Sequence, residues 1–311
     1  MYIVGDCMII VLVSIVLLYF LITYLCFLVL CRRFNEKLVS KVRRDTYNET
    51  DKYQDKIDET NNWFKKQNVE KVFIKSFDDV KLNGLLIKNK KEKGILIIFH
   101  GYRSDATSHL FLSYPHFYDL GYSILLVNER TCSYSGGKYT TFGAKEKDDV
   151  ISWIKYVNKN FKKQDIILAG ISMGATAILL ATKNITKDMN IKLMIADSGY
   201  ISGYEAVKDS FKAFVHINGT ILMPGINLWC KLFAKFNLKD INTLKEITNC
   251  NVPLLLFHVN DDKFVPADNS IKNYDAYTGE KDIVLFEESN HATCYLSNPD
   301  KYINSITKYI K

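Results

Sequence analysis

The chain has 311 residues, 48% of them hydrophobic and 24% charged, with a mean hydropathy of -0.06. Its 15 glycines and 5 prolines, set against 19 tyrosines and 18 phenylalanines, exclude a fibrous, low-complexity or disordered chain. A hydropathy near zero leaves no room for many spanning helices, and a charge of +7 without a dense basic block makes nucleic acid an unexpected partner.

The first element is an uncharged run over residues 8–30, MIIVLVSIVLLYFLITYLCFLVL. At 1.5 Å rise per residue its helix reaches about 34 Å, enough for a hydrocarbon core of ~30 Å. A cleavable signal peptide would want a basic lead-in and a shorter core, whereas Asp6 precedes this run and Arg32 and Arg33 follow it. The run therefore reads as a single-pass transmembrane anchor with the lipid bilayer as partner. Basic residues gather only on its C-terminal side, which places the body on the cytoplasmic face. Residues 31–67 mix both signs and read as a polar juxtamembrane stalk, leaving residues 68–311 as the globular domain. The seven cysteines show no CxxC spacing and read as free thiols of a reducing compartment.

Beyond the stalk, strand and helix signals alternate. Residues 69–76 and 80–88 suit an antiparallel pair, and residues 94–99, 123–127, 165–169, 191–196, 253–257 and 283–286 are short apolar runs suited to two-sided burial. Helical stretches fall at 106–120, 144–160, 173–184, 269–277 and 299–310. The expected fold is α/β, a doubly wound and mostly parallel eight-stranded sheet.

The strand at 165–169 runs into Gly170-Ile171-Ser172-Met173-Gly174 and then an apolar helix, which is G-x-S-x-G in its strand–turn–helix context. A serine hydroxyl needs a base, and the base an orienting acid, in the chain order Ser, acid, His. Downstream, one strand end leads to Asp261 and Asp262, and the next leads to His291. Asp262 and Asp261 are rivals for the acid, and Asp197, after the strand at 191–196, is a third candidate. His100 suits support of a neighbouring loop better than proton transfer.

Taken together, His100-Gly101-Tyr102, the elbow at Ser172, D-x-x-V-P over residues 262–266 and N-H-A at His291 resemble the α/β-hydrolase superfamily of serine esterases, lipases and acylpeptidases. The pattern is most similar to bacterial membrane-anchored hydrolases of poorly known substrate. A loop from Arg130 to Gly137 is also similar, although Thr131 stands where that group shows glycine nearby. The resemblance implies Ser172 as nucleophile, Asp262 as orienting acid, His291 as general base, and backbone N–H groups of Tyr102 and Met173 as the oxyanion hole. It implies a helical cap over residues 199–250, whose aromatic residues would line a pocket for a hydrophobic ester or acyl substrate. Ester cleavage through an acyl-enzyme is expected, lipid-derived and thioester substrates included, with no metal or organic cofactor. A peptidase with the same triad and a non-catalytic membrane-tethered binding protein are the alternatives.

Overall fold

A computed structural model of the protein describes residues 2–33, 52–107, 113–161, 164–247, 250–287 and 289–310. In chain order the elements are α1 (Tyr2–Cys31), α2 (Gln54–Lys65), β1 (Val69–Lys75), β2 (Lys81–Ile87), β3 (Gly94–Phe99), α3 (Tyr114–Asp119), β4 (Tyr122–Asn128) and α4 (Glu146–Asn160). They continue with β5 (Asp165–Ile171), α5 (Met173–Ala181), β6 (Ile191–Asp197), α6 (Gly203–Val215), α7 (Met223–Trp229), β7 (Leu254–Val259), α8 (Asp268–Ala276), β8 (Lys281–Phe286) and α9 (Pro299–Ile310).

The strands form one eight-stranded sheet in the order β1-β2-β4-β3-β5-β6-β7-β8. β2 runs antiparallel to both β1 and β4, and every other pairing is parallel. Side chains of the central strands alternate between two cores, as the period-2 pleat requires. On β3, Ile95, Ile97 and Phe99 join Trp153, Ile154 and Leu179 on one face. Leu96 and Ile98 join Phe117, Tyr302 and Ile306 on the other. Helices therefore cover both faces, which is why β3, β4 and β7 are buried along their whole length.

The chain leaves β3 toward β4 on one side and then returns to β5 on the other. That reversal opens a crevice at the C-terminal ends of β3 and β5, where open α/β sheets place ligands. The loop after β3 and the turn after β5 both end there.

Some expectations need adjustment. The helix expected over 106–120 is described only from Tyr114, because residues 108–112 lie outside the described part. The expected 173–184 helix ends at Ala181 and tightens into a 3-10 turn over Thr182–Asn184. Both described ends of the segment expected as a stalk contact the body, while residues 34–51 lie outside the described part. At one end, Arg33 donates to the carbonyls of Ser133 and Ser135, and the Thr140 N–H donates to the Cys31 carbonyl. At the other, α2 buries Ile57 and Thr60, sets Trp63 edge-on to Tyr114 and Tyr118, and sends the Lys56 amine to the Leu296 carbonyl. The mixed charge of the segment hid one hydrogen-bonded and one apolar contact that dock its ends on the body.

Candidate active site

The turn after β5 is shaped by close backbone approach. A Cβ on Gly170 would lie 2.5 Å from the backbone of Gly174, and one on Gly174 would lie 2.2 Å from the Phe99 carbonyl oxygen. Only glycine fits at both positions, so β5, the turn and the first turn of α5 can sit against the end of β3. Between them Ser172 is held at φ 52° and ψ -111°, a conformation costly for a residue with a side chain. A 2.8 Å hydrogen bond from the Ser172 N–H to the Asp197 carbonyl ties the turn to β6.

Two other strand ends deliver their side chains to this serine. His291 follows β8, and its Nε2 stands 2.9 Å from Ser172 Oγ. Asp262 follows β7, and its Oδ2 stands 2.6 Å from His291 Nδ1. The Asp262 Oδ1 accepts the N–H groups of Phe264 and Val265 at 2.8 and 2.9 Å, so the carboxylate is held by its own loop. Burial would raise the Asp262 carboxyl, but the charge of His291 and hydrogen bonds from His258, His291 and Val265 outweigh it and hold the group below the usual carboxylate range. Phe264 stands edge-on to the His291 ring at 5.1 Å and shields it.

The rival acids are separated by position. Asp261 is exposed. Asp197 is buried, accepts the Ser198 hydroxyl at 2.9 Å, and has its carboxyl pushed up to about 6, mainly by burial. The structure thus brings Ser172, His291 and Asp262 together in one hydrogen-bonded row and leaves Asp261 outside it.

The two expected oxyanion donors flank the serine. Met173 opens α5, where the first N–H groups of a helix lack intrahelical partners. Tyr102 follows Gly101, whose added Cβ would come within 3.5 Å of the Ser172 Cβ. His100 shapes this loop: its Nδ1 lies 2.8 Å from the Gly101 carbonyl, and its Nε2 accepts the Glu129 N–H at 3.0 Å.

Several contacts around the site have no signal in the sequence. His258 Nε2 lies 3.4 Å from Asp262 Oδ2 and 2.8 Å from the Val265 carbonyl, adding a second ring behind the acid. Arg130 is buried between Asp149, at 2.7 Å, and Asp78, at 3.2 Å, so the 130–137 loop is pinned from α4 and from the β1–β2 turn. Thr131 adopts φ 70°, the left-handed region that favours the glycine this sequence lacks.

The segment after β6 folds over the site, but its apolar side chains divide. Phe211 and Phe236 join Met173, Phe142 and Tyr200 in one buried cluster. Trp229 instead stands edge-on to Phe20 and Tyr24 of α1, and Leu228, Leu232 and Phe233 are exposed. The expected pocket lining is therefore only partly inward, because α1 takes one face of the cap. Tyr102 is tied to α1 as well, its hydroxyl donating to the Leu30 carbonyl at 2.6 Å.

A family model described as X-Pro dipeptidyl-peptidase (S15 family) matches residues 42–232. The uncharacterized protein YqkD of Bacillus subtilis (strain 168) is 29% identical over 220 residues, covering 69% of this chain and 70% of that protein. Among solved structures, the Pyrococcus furiosus esterase Pf2001 superposes with a TM-score of 0.65 at 24% identity, covering 78% of this chain and 91% of that one. The Pyrococcus horikoshii acylaminoacyl peptidase superposes with a TM-score of 0.58 at 20% identity, covering 81% of this chain and 44% of that one.

Proposed function

The chain belongs to the X-Pro dipeptidyl-peptidase (S15) family of the α/β-hydrolase superfamily, and from that premise we propose that it is a membrane-anchored serine hydrolase of carboxylic esters with hydrophobic acyl groups. The observation that carries the reading is the row Ser172–His291–Asp262, closed at 2.9 and 2.6 Å on a strained turn at the sheet's switch point.

In this mechanism His291 Nε2 takes the Ser172 proton as Oγ bonds to the ester carbonyl carbon. The negative charge that collects on the carbonyl oxygen is met by the N–H groups of Tyr102 and Met173. Collapse breaks the bond to the leaving oxygen, which leaves as alcohol with the proton from His291. Water then gives a proton to His291 as it attacks the acyl-serine, and collapse breaks the bond to Ser172 Oγ, which takes that proton back as the carboxylic acid is released. Asp262 holds the imidazole in the required tautomer and stabilises its cation without taking the proton.

Labelling by a fluorophosphonate tests the reading. Intact protein should label and Ser172→Ala should not; folded wild-type protein that fails to label would remove the proposal. Amide cleavage after X-Pro is a second reading, favoured by the family match. It predicts a larger kcat/KM on X-Pro p-nitroanilides than on hydrophobic p-nitrophenyl esters, whereas the ester reading predicts the reverse.

The anchor is α1, whose residues from Met8 to Val29 include a long series of exposed apolar side chains. The basic residues that follow favour a cytoplasmic body. A reporter fused after Lys311 is expected to be active in the cytosol, and activity only outside would reverse the orientation.

A further inference from the structure

The helix α1 is not free along its length. Residues 6–18 are uniformly exposed, but from Tyr19 onward one face is covered by α7 and the turn that follows it. Thr23, Phe27 and Cys31 are fully buried there. Packing is close enough that a Cβ on Gly225 would lie 2.6 Å from Thr23 Oγ1. These thirteen exposed residues reach only about 20 Å at 1.5 Å rise, short of a ~30 Å hydrocarbon core.

The opposite face of the docked half stays apolar to its end, with Leu21 53%, Ile22 41%, Leu25 51% and Val29 54% exposed. Whatever covers that face therefore stands level with the cap. The hydroxyls of Tyr19 and Thr23 in this half are turned to the cap and bonded there. The Tyr19 hydroxyl donates to the Ile221 carbonyl and accepts the Gly225 N–H, each at 3.0 Å. Thr23 Oγ1 accepts the Trp229 indole N–H at 3.0 Å and donates to the Tyr19 carbonyl at 3.0 Å. A helix half surrounded by water would have no need to satisfy its hydroxyls in this way; in hydrocarbon an unpaired one is costly.

The cap continues the same surface. Val215 is 56% exposed, Ile217 45%, Ile221 76%, Leu228 38%, Leu232 50% and Phe233 47%. Phe233 packs on Tyr24 and Phe27 of α1, and Ile221 is the residue whose carbonyl holds Tyr19. Lys231 and Lys235 are exposed beside this patch and carry long stems suited to reach headgroups.

We propose that the cap face around Ile221, Leu228, Leu232 and Phe233 is immersed in the same leaflet as the docked half of α1, so that the bilayer is the partner of this surface. The proposal rests on α1 being the membrane anchor, and it goes further by sinking the body into the membrane instead of holding it away on a stalk.

Depth-dependent quenching tests it with the full chain in phosphatidylcholine–phosphatidylglycerol vesicles. In a Cys7→Ala background, a fluorophore is attached at Leu12→Cys, Ile221→Cys or, as a control on α8, Lys272→Cys, all exposed positions. Brominated acyl chains should quench the labels at 12 and 221 and spare the label at 272, which aqueous iodide should quench. Bromine quenching at 12 with iodide quenching at 221 overturns the immersion and leaves the anchor standing. Shielding of 221 from both quenchers assigns the patch to a second copy and also overturns it. No bromine quenching at 12 removes the anchor and the immersion together. Fluorophosphonate labelling of Ser172 in the same vesicles reports the hydrolase reading separately, since it does not depend on which quencher reaches residue 221.

Discussion

Adjacent carboxylates at 261 and 262 have opposite fates because the loop after β7 turns only one of them inward. Asp262 is buried against His291, whereas Asp261 faces solvent. Asp262→Asn is therefore expected to lower kcat by about four orders of magnitude, since the imidazole loses its tautomer and its counter-charge. Asp261→Asn should stay within about threefold of wild type, and equal losses in the two variants would mean the acid is misassigned. Because the Asp262 carboxyl is held below the usual range, it stays ionised through ordinary acid conditions. Its contribution to stability is present above the unfolded carboxylate pKa of about 4 and is lost only as pH falls through its lower folded value.

At the scale of elements, the turn between β5 and α5 depends on two glycines meeting. Gly174→Ala would drive a methyl into the Phe99 carbonyl. A loss on the order of 3–5 kcal/mol is expected, because neither partner is a flexible side chain that can yield. Chemical denaturation reads this directly; a midpoint unchanged from wild type would show that the backbone relaxes. The docking of α1 on the cap has its own readout. Cys31 and Cys230 face each other with sulfurs 3.8 Å apart. Mild oxidation in membranes should join them in wild type, and Gly225→Val, which pushes the Thr23 contact apart, should lower the yield at least fivefold. Equal yields would mean that helix and cap stay together without that close approach.

For the molecule as a whole, the buried carboxyl of Asp197 gives stability a pH dependence opposite to that of Asp262. Burial raises its folded value to about 6, partly offset by hydrogen bonds from Ser198 and Cys294 and by the charges of His258 and His291. A carboxyl raised in the folded state adds stability that is fully present below its unfolded value of about 4 and is lost as pH rises through about 6. Thermal midpoints should therefore fall between about pH 4.5 and 7 in wild type. Asp197→Asn, which keeps an acceptor for Ser198 and carries no charge, should flatten that fall by roughly 2–3 kcal/mol, an upper figure. Parallel profiles in the two proteins would place the dependence elsewhere.

Much of this was legible in the residue order. Short unbroken apolar runs announced the central strands, because a strand buried on both faces has to be continuously apolar. G-x-S-x-G after such a run marked Ser172, and the two strand ends that follow marked His291 and an acid within one residue. Those signals are local: each depends on neighbours close in the chain. What tertiary structure alone decided is non-local. Whether Asp261 or Asp262 turns inward depends on the loop that Val265 and Phe264 close. The pairing of Arg130 with Asp149 and Asp78 joins three separate segments, and neither spacing nor periodicity records it. The contact of α1 with the cap joins residues some two hundred positions apart, and in the sequence it is written only as a tyrosine and a threonine inside an apolar run. Apolarity tells a helix to leave water, but which surface receives it is settled by shape and by where the remaining hydroxyls find partners.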